Sequence, residues 1–431
     1  MSLIEPIVLK GFRDSLPEQE IPKKKIMRAL EDQFQSYGFV PIDTPALEYT
    51  SVLLGKGGGE TDKQIFHFTD NGGREVAMRF DLTVPFARFL AAHNANLALP
   101  FKRYHINKVW RGENPQKGRY REFIQCDFDI VGADNAESDF EILSLMDSSF
   151  KMLQVGGYTF HVAHRGLFNA FLEFNGIKEH SVEILRTVDK LRKIGKDAVI
   201  EQLTEITSSK EKAERICEYI ERPENETFEE GIKRLEALAG GENEASIRLT
   251  EIHDLLKALG IDEHFILDPS ITRGLDYYTG IVYETFLTDC PQIGSVCSGG
   301  RYNNLASLYT KEHLPGVGSS IGLDRLLAAL EELKSPLLAD SSSADIVILH
   351  RPGEEKNAMK VARELREKGI KVDVYLTPEK KAKQQYDYAA KNRIRYALSF
   401  KEDGSYSLKN LETREITNTT SVSDICSQIA R

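Results

Sequence analysis

The stretch from Lys102 to Gly132 constrains the fold of this chain more than any other, because two strand-like runs there flank a turn. The turn, Asn114-Pro115-Gln116-Lys117-Gly118, predicts a long antiparallel hairpin. Successive side chains of a strand point to opposite faces. The first strand has Arg103, His105, Asn107, Val109 and Arg111 on one of its faces, and Glu113 is in phase with them where the strand ends. The second strand has Arg121, Phe123, Gln125, Asp127 and Asp129 on one of its faces. One face of the hairpin is therefore mostly polar and the other mostly apolar.

The polar face of this hairpin is rich in positive charge. Residues 102–121 contain seven lysines and arginines and a single anion, Glu113. Guanidinium groups bind phosphate through paired hydrogen bonds, and an aromatic ring such as Phe123 can stack on a base. The face therefore predicts a nucleotide or nucleic-acid site, and Asp127 and Asp129 further along it can hold a cationic group. The alternative is a half-exposed sheet with a solvated polar face.

A second candidate region lies at residues 272–280 and 298–305. The first segment contains Arg273 beside a glycine, followed by the pair Tyr277-Tyr278. An arginine, phenol groups and a glycine backbone that allows close approach can together bind a ligand. Paired tyrosines also occur in cores and at rims, so these residues alone leave both readings open.

Two glycine-containing segments approach known motifs without fulfilling them. Residues 55–60 are glycine-rich but lack the spacing G-x-x-x-x-G-K-[ST] of a phosphate loop. Residues 318–322 match G-x-S-x-G, yet no apolar strand precedes them, which argues against an esterase nucleophile. We expect the second segment to be a glycine turn that lets backbone approach a helix or a ligand, with a long helix after Gly322.

The rest of the pattern predicts two or three domains, given 431 residues. Apolar residues at helical spacing predict helices over 21–38, with Pro22 in the first turn, and over 137–153. The sequence between about 180 and 258 is almost purely helical, which is typical of an inserted module. Strand formers return at 280–286.

A serine run at 341–343 marks a linker before a different kind of domain. The segments that follow predict a small α/β domain with parallel pairing. Its expected strands are 346–349, 372–376 and 394–400, and its expected helices are 354–368 and 380–391. Residues 341–431 carry 17 Lys+Arg and 13 Asp+Glu, a net charge of +4. Because the whole chain has a net charge of −10, residues 1–340 have a net charge of −14. This asymmetry leaves room for a polyanionic partner.

Composition excludes several classes of protein. With 41% hydrophobic and 28% charged residues, the chain has the composition of a globular protein. Its five cysteines are scattered without a Cys-x-x-Cys pair, which argues against disulfides and structural zinc. No stretch approaches the roughly 20 apolar residues of a membrane span, and the start lacks the basic and apolar regions of a secretory signal. We therefore expect a cytoplasmic protein.

Taken together, these motifs resemble those of the histidyl-tRNA synthetases, a family of class II aminoacyl-tRNA synthetases, over nearly the whole chain. Pro45 with Glu48 resembles the end of class II motif 1, residues 104–132 resemble motif 2, and residues 318–325 resemble motif 3 with its arginine. The peptides similar to the histidine-specific signatures are Arg273-Gly-Leu-Asp-Tyr-Tyr278 and Gly299-Gly-Arg-Tyr302.

The resemblance implies a fold and its division into domains. An α+β catalytic domain is expected on a mixed, largely antiparallel sheet, the class II synthetase fold, together with a helical insertion and a C-terminal α/β anticodon-binding domain. The expected bounds are 1–335 for the catalytic domain, about 175–260 for the insertion, 336–343 for the linker and 344–431 for the anticodon-binding domain. A homodimer with the motif 1 region at its interface is also implied.

The resemblance further implies roles for individual residues. The expected catalytic residues are Arg111, Arg273 and Arg325. The expected histidine contacts are Asp81, Leu82, Thr83, Arg111, Gln125, Asp129, Arg273, Tyr277, Tyr278 and Tyr302. The expected ATP contacts are Arg111, Glu113, Arg119, Phe123 and Arg325, and the expected tRNA contacts are Gln116 and Arg119. Mg²⁺ is expected with ATP, and no metal held by protein ligands is expected.

The implied reaction has two steps. The carboxylate of histidine attacks the α-phosphate of ATP and releases pyrophosphate, and the histidyl group then passes to the 3′ end of tRNA(His). Two alternatives stay open: a synthetase-like regulatory subunit of the ATP phosphoribosyltransferase of histidine biosynthesis, and a tRNA-sensing protein that does not activate histidine. The sequence also departs from common family patterns, with Asn303 where aspartate is frequent and Asp81-Leu82-Thr83 where many bacterial members have Glu-Gly-Thr.

Overall fold

The structure is a computed structural model that describes residues 3–54, 64–271, 277–339 and 342–429. The chain divides into two compact units, residues 1–14 with 26–335 and residues 15–25 with 336–431. Within the described ranges, no helix combines the length and the hydrophobicity that a membrane span requires.

The strands and helices follow one another along the chain with these bounds. The strands are β1 (Val40–Pro41), β2 (Leu47–Tyr49), β3 (His67–Thr69), β4 (Glu75–Met78), β5 (Phe101–Trp110), β6 (Glu122–Val131), β7 (Tyr158–His164), β8 (Phe265–Leu267), β9 (Ile281–Leu287), β10 (Cys297–Arg301), β11 (Gly316–Gly322), β12 (Ile346–Ile348), β13 (Val372–Val374), β14 (Tyr396–Phe400), β15 (Tyr406–Asn410) and β16 (Ile416–Thr419). The α-helices are α1 (Pro17–Ser36), α2 (Thr50–Leu54), α3 (Thr83–His93), α4 (Ala136–Met152), α5 (Arg165–Phe174), α6 (Ser181–Val188), α7 (Leu191–Ile194), α8 (Lys196–Thr207), α9 (Lys210–Ile220), α10 (Phe228–Leu238), α11 (Glu244–Leu259), α12 (Leu323–Glu332), α13 (Glu355–Glu367), α14 (Ala382–Lys391) and α15 (Val422–Ile429).

An eight-stranded sheet forms the centre of the first unit, in the order β1-β5-β6-β11-β10-β9-β7-β8. Strand β1 is parallel to β5 and β7 is parallel to β8, whereas the other neighbours are antiparallel. The predicted mixed, largely antiparallel sheet is therefore confirmed. A three-stranded sheet has the order β2-β4-β3.

The predicted hairpin is confirmed as β5 and β6, and its register sets the two polar rows side by side. Arg103 pairs with Asp129 and His105 with Asp127. The apolar face packs on α1, where the Phe34 ring lies 4.9 Å from the Phe128 ring. The alternative of a solvated polar face is wrong, because Arg103 is fully buried and Asp127 and Asp129 are each 2% exposed.

The segment expected to be a glycine turn is instead a strand. Residues 316–322 form β11, which pairs with β6 on one side and β10 on the other. Glycine usually weakens a strand, but it also marks sites of close approach. A Cβ on Gly318 would lie 1.9 Å from Oδ1 of Asp129, so the missing side chain makes room for a buried carboxylate.

Two helical predictions have different outcomes. Helix α1 begins at Pro17, and Pro22 lies inside it, so the expected start at residue 21 is wrong. Either proline suits a first helical position, and the backbone amides of Gln19 and Glu20 both bond to Leu16, which fixes the earlier start. The helical module is confirmed, since α6 to α11 occupy residues 181–259.

The second unit contains the sheet β13-β12-β14-β15-β16. Strand β12 is parallel to β13 and β14, as expected, whereas β14, β15 and β16 are antiparallel and extend the predicted sheet. Ile346, Ile348 and Leu398 pack with Val361 and Leu365 in its core.

Candidate active site

Three buried carboxylates line the polar face of the central sheet. Asp127 and Asp129 belong to β6, and Asp81 precedes α3 with only 3% exposure. Burial raises the pKa of Asp127 to about 7 and also raises the pKa of Asp81 and Asp129. The charge of Asp81 raises the pKa of both strand carboxylates further. Such a group favours a ligand that brings positive charge or N–H donors.

Arg103 offsets part of this negative charge. Its Nη2 lies 2.8 Å from Oδ2 of Asp129, and its guanidinium lies 4.1 Å from the centroid of the Phe86 ring. The positive charge lowers the pKa of Asp127 and Asp129 against the effect of burial. The alternation of the hairpin placed Arg103 on this face, but it gave no sign that the side chain would be completely buried.

Three tyrosines lie around these carboxylates, and we call the two groups together the carboxylate pocket. The hydroxyl of Tyr302 donates a hydrogen bond of 2.5 Å to Oδ1 of Asp129. The ring centroid of Tyr277 lies 4.9 Å from that of Tyr278 and 5.9 Å from that of Tyr302. Burial raises the pKa of all three phenols, so they stay neutral donors at physiological pH. The structure therefore brings the three predicted tyrosines together near Asp129.

The remaining predicted histidine contacts lie around the same pocket. Gln125 donates from Nε2 to the Ser320 hydroxyl at 2.8 Å, beside Asp127 on β6. Asp81 accepts a 2.9 Å bond from the backbone amide of Val84 in the first turn of α3. Leu82 is fully buried, and the Thr83 side chain forms a hydrogen bond with Tyr277.

Arg111 lies between this pocket and the loop of the hairpin. Its Nε donates to the carbonyl of Phe80 at 3.1 Å, and its guanidinium lies 4.3 Å from the Phe80 ring and 5.1 Å from the Phe123 ring. Burial lowers the pKa of Arg111, whereas the charges of Asp81 and Glu113 raise it. The same guanidinium therefore interacts with a pocket carboxylate and with a carboxylate of the loop.

A second group of cations faces the loop side of the site. Arg325 lies in the first turn of α12 and donates from Nη1 to the carbonyl of Ser295. Burial, together with the charges of Arg119 and Arg111, lowers the pKa of Arg325 to about 10. Glu113 lies 4.0 Å from Arg119 and only partly balances these charges. An excess of guanidinium groups of this kind suits a polyphosphate.

Two of the predicted residues lie at the tip of the hairpin loop. Gln116 and Arg119 exchange backbone hydrogen bonds of 3.0 and 2.8 Å across the tip of the hairpin loop. Arg273, expected to be catalytic, lies outside the described residues.

A buried network behind the tyrosines includes residues that the sequence did not assign. Arg301 donates from Nε to Asp139 at 2.8 Å and from Nη1 to the side-chain Oδ1 of Asn303 at 3.3 Å. Asn303 donates in turn to Asp134 at 2.8 Å, and Arg248 of the helical module also binds Asp134, at 3.0 Å. An aspartate at position 303 could not donate this bond. The departure at Asn303 therefore has a structural role beside the buried arginine.

The carboxylates with their tyrosines form one half of the site, the guanidinium groups near the hairpin loop form the other half, and the two halves are continuous. Its carboxylates and neutral phenols can bind an ammonium group and the N–H of a ring, while its guanidinium groups can bind phosphates. Arg111 interacts with both halves. The geometry is therefore suited to hold a small cationic ligand next to a nucleoside polyphosphate.

Two family models match most of the chain. The family model described as histidyl-tRNA synthetase matches residues 11–326, and the model described as anticodon binding domain matches residues 344–431. The histidine–tRNA ligase of Treponema denticola is 54% identical to this chain over 406 residues, which cover 93% of this chain and 90% of the relative. That of Rhodopirellula baltica is 44% identical and covers 96% of this chain and 95% of the relative.

Solved structures are also similar over most of the chain. The histidyl-tRNA synthetase of a Nostoc species has a TM-score of 0.88 at 28% identity and covers 100% of both chains. A Bacillus halodurans protein titled as an ATP phosphoribosyltransferase regulatory subunit/histidyl-tRNA synthetase has a TM-score of 0.74 at 22% identity and covers 90% of this chain and 97% of that one. The second likeness concerns the fold alone.

Proposed function

The chain belongs to the histidyl-tRNA synthetase family, and on that premise we propose how its residues divide the work of joining histidine to tRNA. The activity is that of a histidine–tRNA ligase, EC 6.1.1.21. L-Histidine is activated with ATP to histidyl-adenylate and pyrophosphate, and histidine is then transferred to the 3′ end of tRNA(His).

The observation that carries the proposal is the buried pocket around Asp129. This carboxylate is held by Tyr302 and Arg103, and Asp127 with its raised pKa lies on the same strand. A pocket of this composition rejects apolar amino acids, because its polar groups would lose partners on binding them. The proposed histidine contacts are Asp81, Leu82, Thr83, Arg111, Gln125, Asp129, Arg273, Tyr277, Tyr278 and Tyr302.

The guanidinium half is proposed to bind ATP. Phe123 would stack on adenine, Glu113 would accept from its amino group, and Arg111, Arg119 and Arg325 would bind phosphates. Mg²⁺ would enter with ATP as part of that substrate. The first step joins a carboxylate to a phosphate, so both reacting groups are anionic. Positioning and charge neutralisation by the arginines therefore supply the catalysis, and no protein nucleophile is needed.

The partners and boundaries are proposed at a coarser level. Gln116 and Arg119 at the loop tip would contact the tRNA acceptor end, and residues 344–431 would bind the anticodon. We propose the bounds 1–335, with an insertion at about 175–260, and a linker at 336–343. A cytoplasmic homodimer is proposed through the motif 1 region. Exposed apolar side chains support such an interface, namely Val40, Leu47, Tyr49 and Phe68.

The regulatory-subunit alternative is less well supported. Relatives named histidine–tRNA ligase match over 90% or more of both chains, and the anticodon-binding model matches residues 344–431. A protein that served only as a regulator would have no need for a carboxylate pocket and a phosphate-binding cluster in one site.

The test is histidine-dependent exchange between ATP and pyrophosphate by the purified protein. Exchange with L-histidine but with neither histidinol nor other amino acids is the expected result, followed by charging of tRNA(His). Absence of exchange in folded protein would contradict the proposal and favour the regulatory alternative.

A further inference from the structure

The segment before the first helix lies against the hairpin that carries the proposed ATP contacts. We call residues 10–13 the N-terminal strap. The carbonyl of Gly11 accepts a 2.8 Å bond from the backbone amide of Arg121, and the carbonyl of Lys10 accepts a 3.3 Å bond from the side chain of Arg121. The Arg121 side chain also donates to the carbonyl of Glu113 at 3.1 Å. One arginine therefore ties the strap to both ends of the hairpin loop.

The approach of the strap to the hairpin depends on a glycine. Gly11 has a φ of +89°, and a Cβ there would lie 2.6 Å from Cδ of Arg121 and 3.1 Å from Cγ of Pro115. A side chain at this position would be both strained and crowded. The strap therefore lies in direct backbone contact with the hairpin.

Arg13 connects the strap to the other side of the ATP site. Its Nη2 lies 2.5 Å from Oδ1 of Asp324, and its guanidinium lies 3.9 Å from the centroid of the Tyr120 ring. The Asp324 side chain is only 5% exposed, and its Oδ2 accepts a 2.8 Å bond from the backbone amide of Ile124. A carboxylate this deeply buried requires a compensating charge, and Arg13 supplies one at hydrogen-bond distance.

Asp324 is adjacent in sequence to one proposed ATP contact and bonded next to another. Arg325 follows Asp324 in the first turn of α12. Phe123 precedes Ile124, whose backbone amide donates to Asp324. A shift of the Asp324 carboxylate would therefore move the phosphate-binding arginine and the adenine-stacking ring relative to each other. The ion pair of Arg13 is with Asp324, so Arg13 would act on both of these ATP contacts through that carboxylate.

We propose that Arg13 is a positioning residue of the ATP site, because its ion pair with buried Asp324 holds helix α12 and strand β6 in the relative position that ATP binding requires. The inference rests on the proposed ATP roles of Phe123 and Arg325. It predicts an effect on ATP that spares histidine, since the contacts of Asp324 lie on the guanidinium half of the site.

The experiment compares Arg13→Ala, Arg13→Lys and Lys10→Ala in ATP–pyrophosphate exchange, with KM measured separately for ATP and histidine. Lys10→Ala is the matched control, because it removes the same charge from the strap and keeps the backbone carbonyl that binds Arg121. We expect Arg13→Ala to raise KM for ATP about ten-fold, equivalent to about 1.4 kcal/mol. KM for histidine should change less than about two-fold, Arg13→Lys should recover most of the loss, and Lys10→Ala should behave as wild type.

A second arm tests the route through Asp324. In an Asp324→Asn background, Arg13→Ala should have little further effect on KM for ATP, because the carboxylate it serves is gone. Equal loss for ATP and histidine, full additivity of the two substitutions, or an unchanged KM for ATP in Arg13→Ala would overturn the proposal. Phe123→Ala, measured in parallel, distinguishes a failure of the positioning role from a failure of the proposed ATP site. If it raises KM for ATP while Arg13→Ala does not, the positioning role fails and the ATP site stands; if neither does, the proposed ATP site itself fails.

Discussion

Replacing Gly318 by alanine should damage histidine activation selectively. The new Cβ would lie 1.9 Å from Oδ1 and 2.3 Å from Cγ of Asp129, whereas ordinary contact begins near 3.4 Å. The carboxylate must therefore move by roughly 3.4 − 1.9 = 1.5 Å, which breaks its 2.5 Å bond from Tyr302.

A misplacement of about 1 Å in a reacting site costs on the order of 100-fold in rate, or about 2.7 kcal/mol. We therefore expect kcat/KM for histidine in ATP–pyrophosphate exchange to fall about 100-fold in Gly318→Ala. ATP binding should persist. It can be followed by the fluorescence of Trp110, the only tryptophan of the chain, which precedes Arg111.

Gly322→Ala is the matched control on the same strand, because its Cβ would meet nothing closer than 3.7 Å. Thermal unfolding of both variants shows whether Gly318→Ala also destabilises the sheet, since its Cβ would lie 2.9 Å from the carbonyl of Phe128. The reasoning is refuted if folded Gly318→Ala keeps kcat/KM for histidine within about three-fold of wild type, because the carboxylate would then not need its present position.

Three further outcomes follow from the same structure. Phe123→Ala should raise KM for ATP about ten-fold with little change for histidine, since base–aromatic stacking contributes about 1–3 kcal/mol; Phe123→Tyr should be nearly neutral, and a neutral Phe123→Ala would contradict the stacking role. Burial holds the pKa of Asp127 near 7, above its value in the unfolded chain, so the folded state retains a proton that the unfolded state loses. The free energy of unfolding of the wild type should therefore fall as pH rises towards 7. Between pH 5.5 and 8, the free energy of unfolding of Asp127→Asn relative to wild type should increase by about 2 kcal/mol in urea titrations, and a constant difference would exclude this titration. Leu47→Glu places a charge on the exposed apolar surface of β2 and should shift the proposed dimer towards monomer in light scattering, whereas Glu18→Gln on α1 should not; an unchanged mass would move the interface elsewhere.

Local pattern was sufficient where a single period governs the side chains. The alternation from Arg103 to Asp129 fixed which residues share a face, and the turn near Pro115 fixed the pairing, so the hairpin and its polar row were predictable. The helical spacing over residues 181–259 was equally clear. In each case the information lies within a few neighbouring residues.

Pattern was insufficient where long-range packing decides. The glycines of 316–322 predict a turn by propensity, yet they form a central strand because Asp129 on the next strand needs the space that a side chain would fill. Likewise, nothing local to Arg13 indicates a partner 311 positions away, and the ion pair with Asp324 exists only in the folded chain.

The sequence by itself determined the hairpin, the helical module and the residue types of the site, because periodicity and residue chemistry are local properties. Only the tertiary structure decided that Arg103, Asp127 and Asp129 on the polar face are buried and that burial raises the pKa of Asp127 to about 7. Burial depends on what packs against a face, and the pKa of a carboxylate depends on how much water and charge the rest of the fold leaves around it.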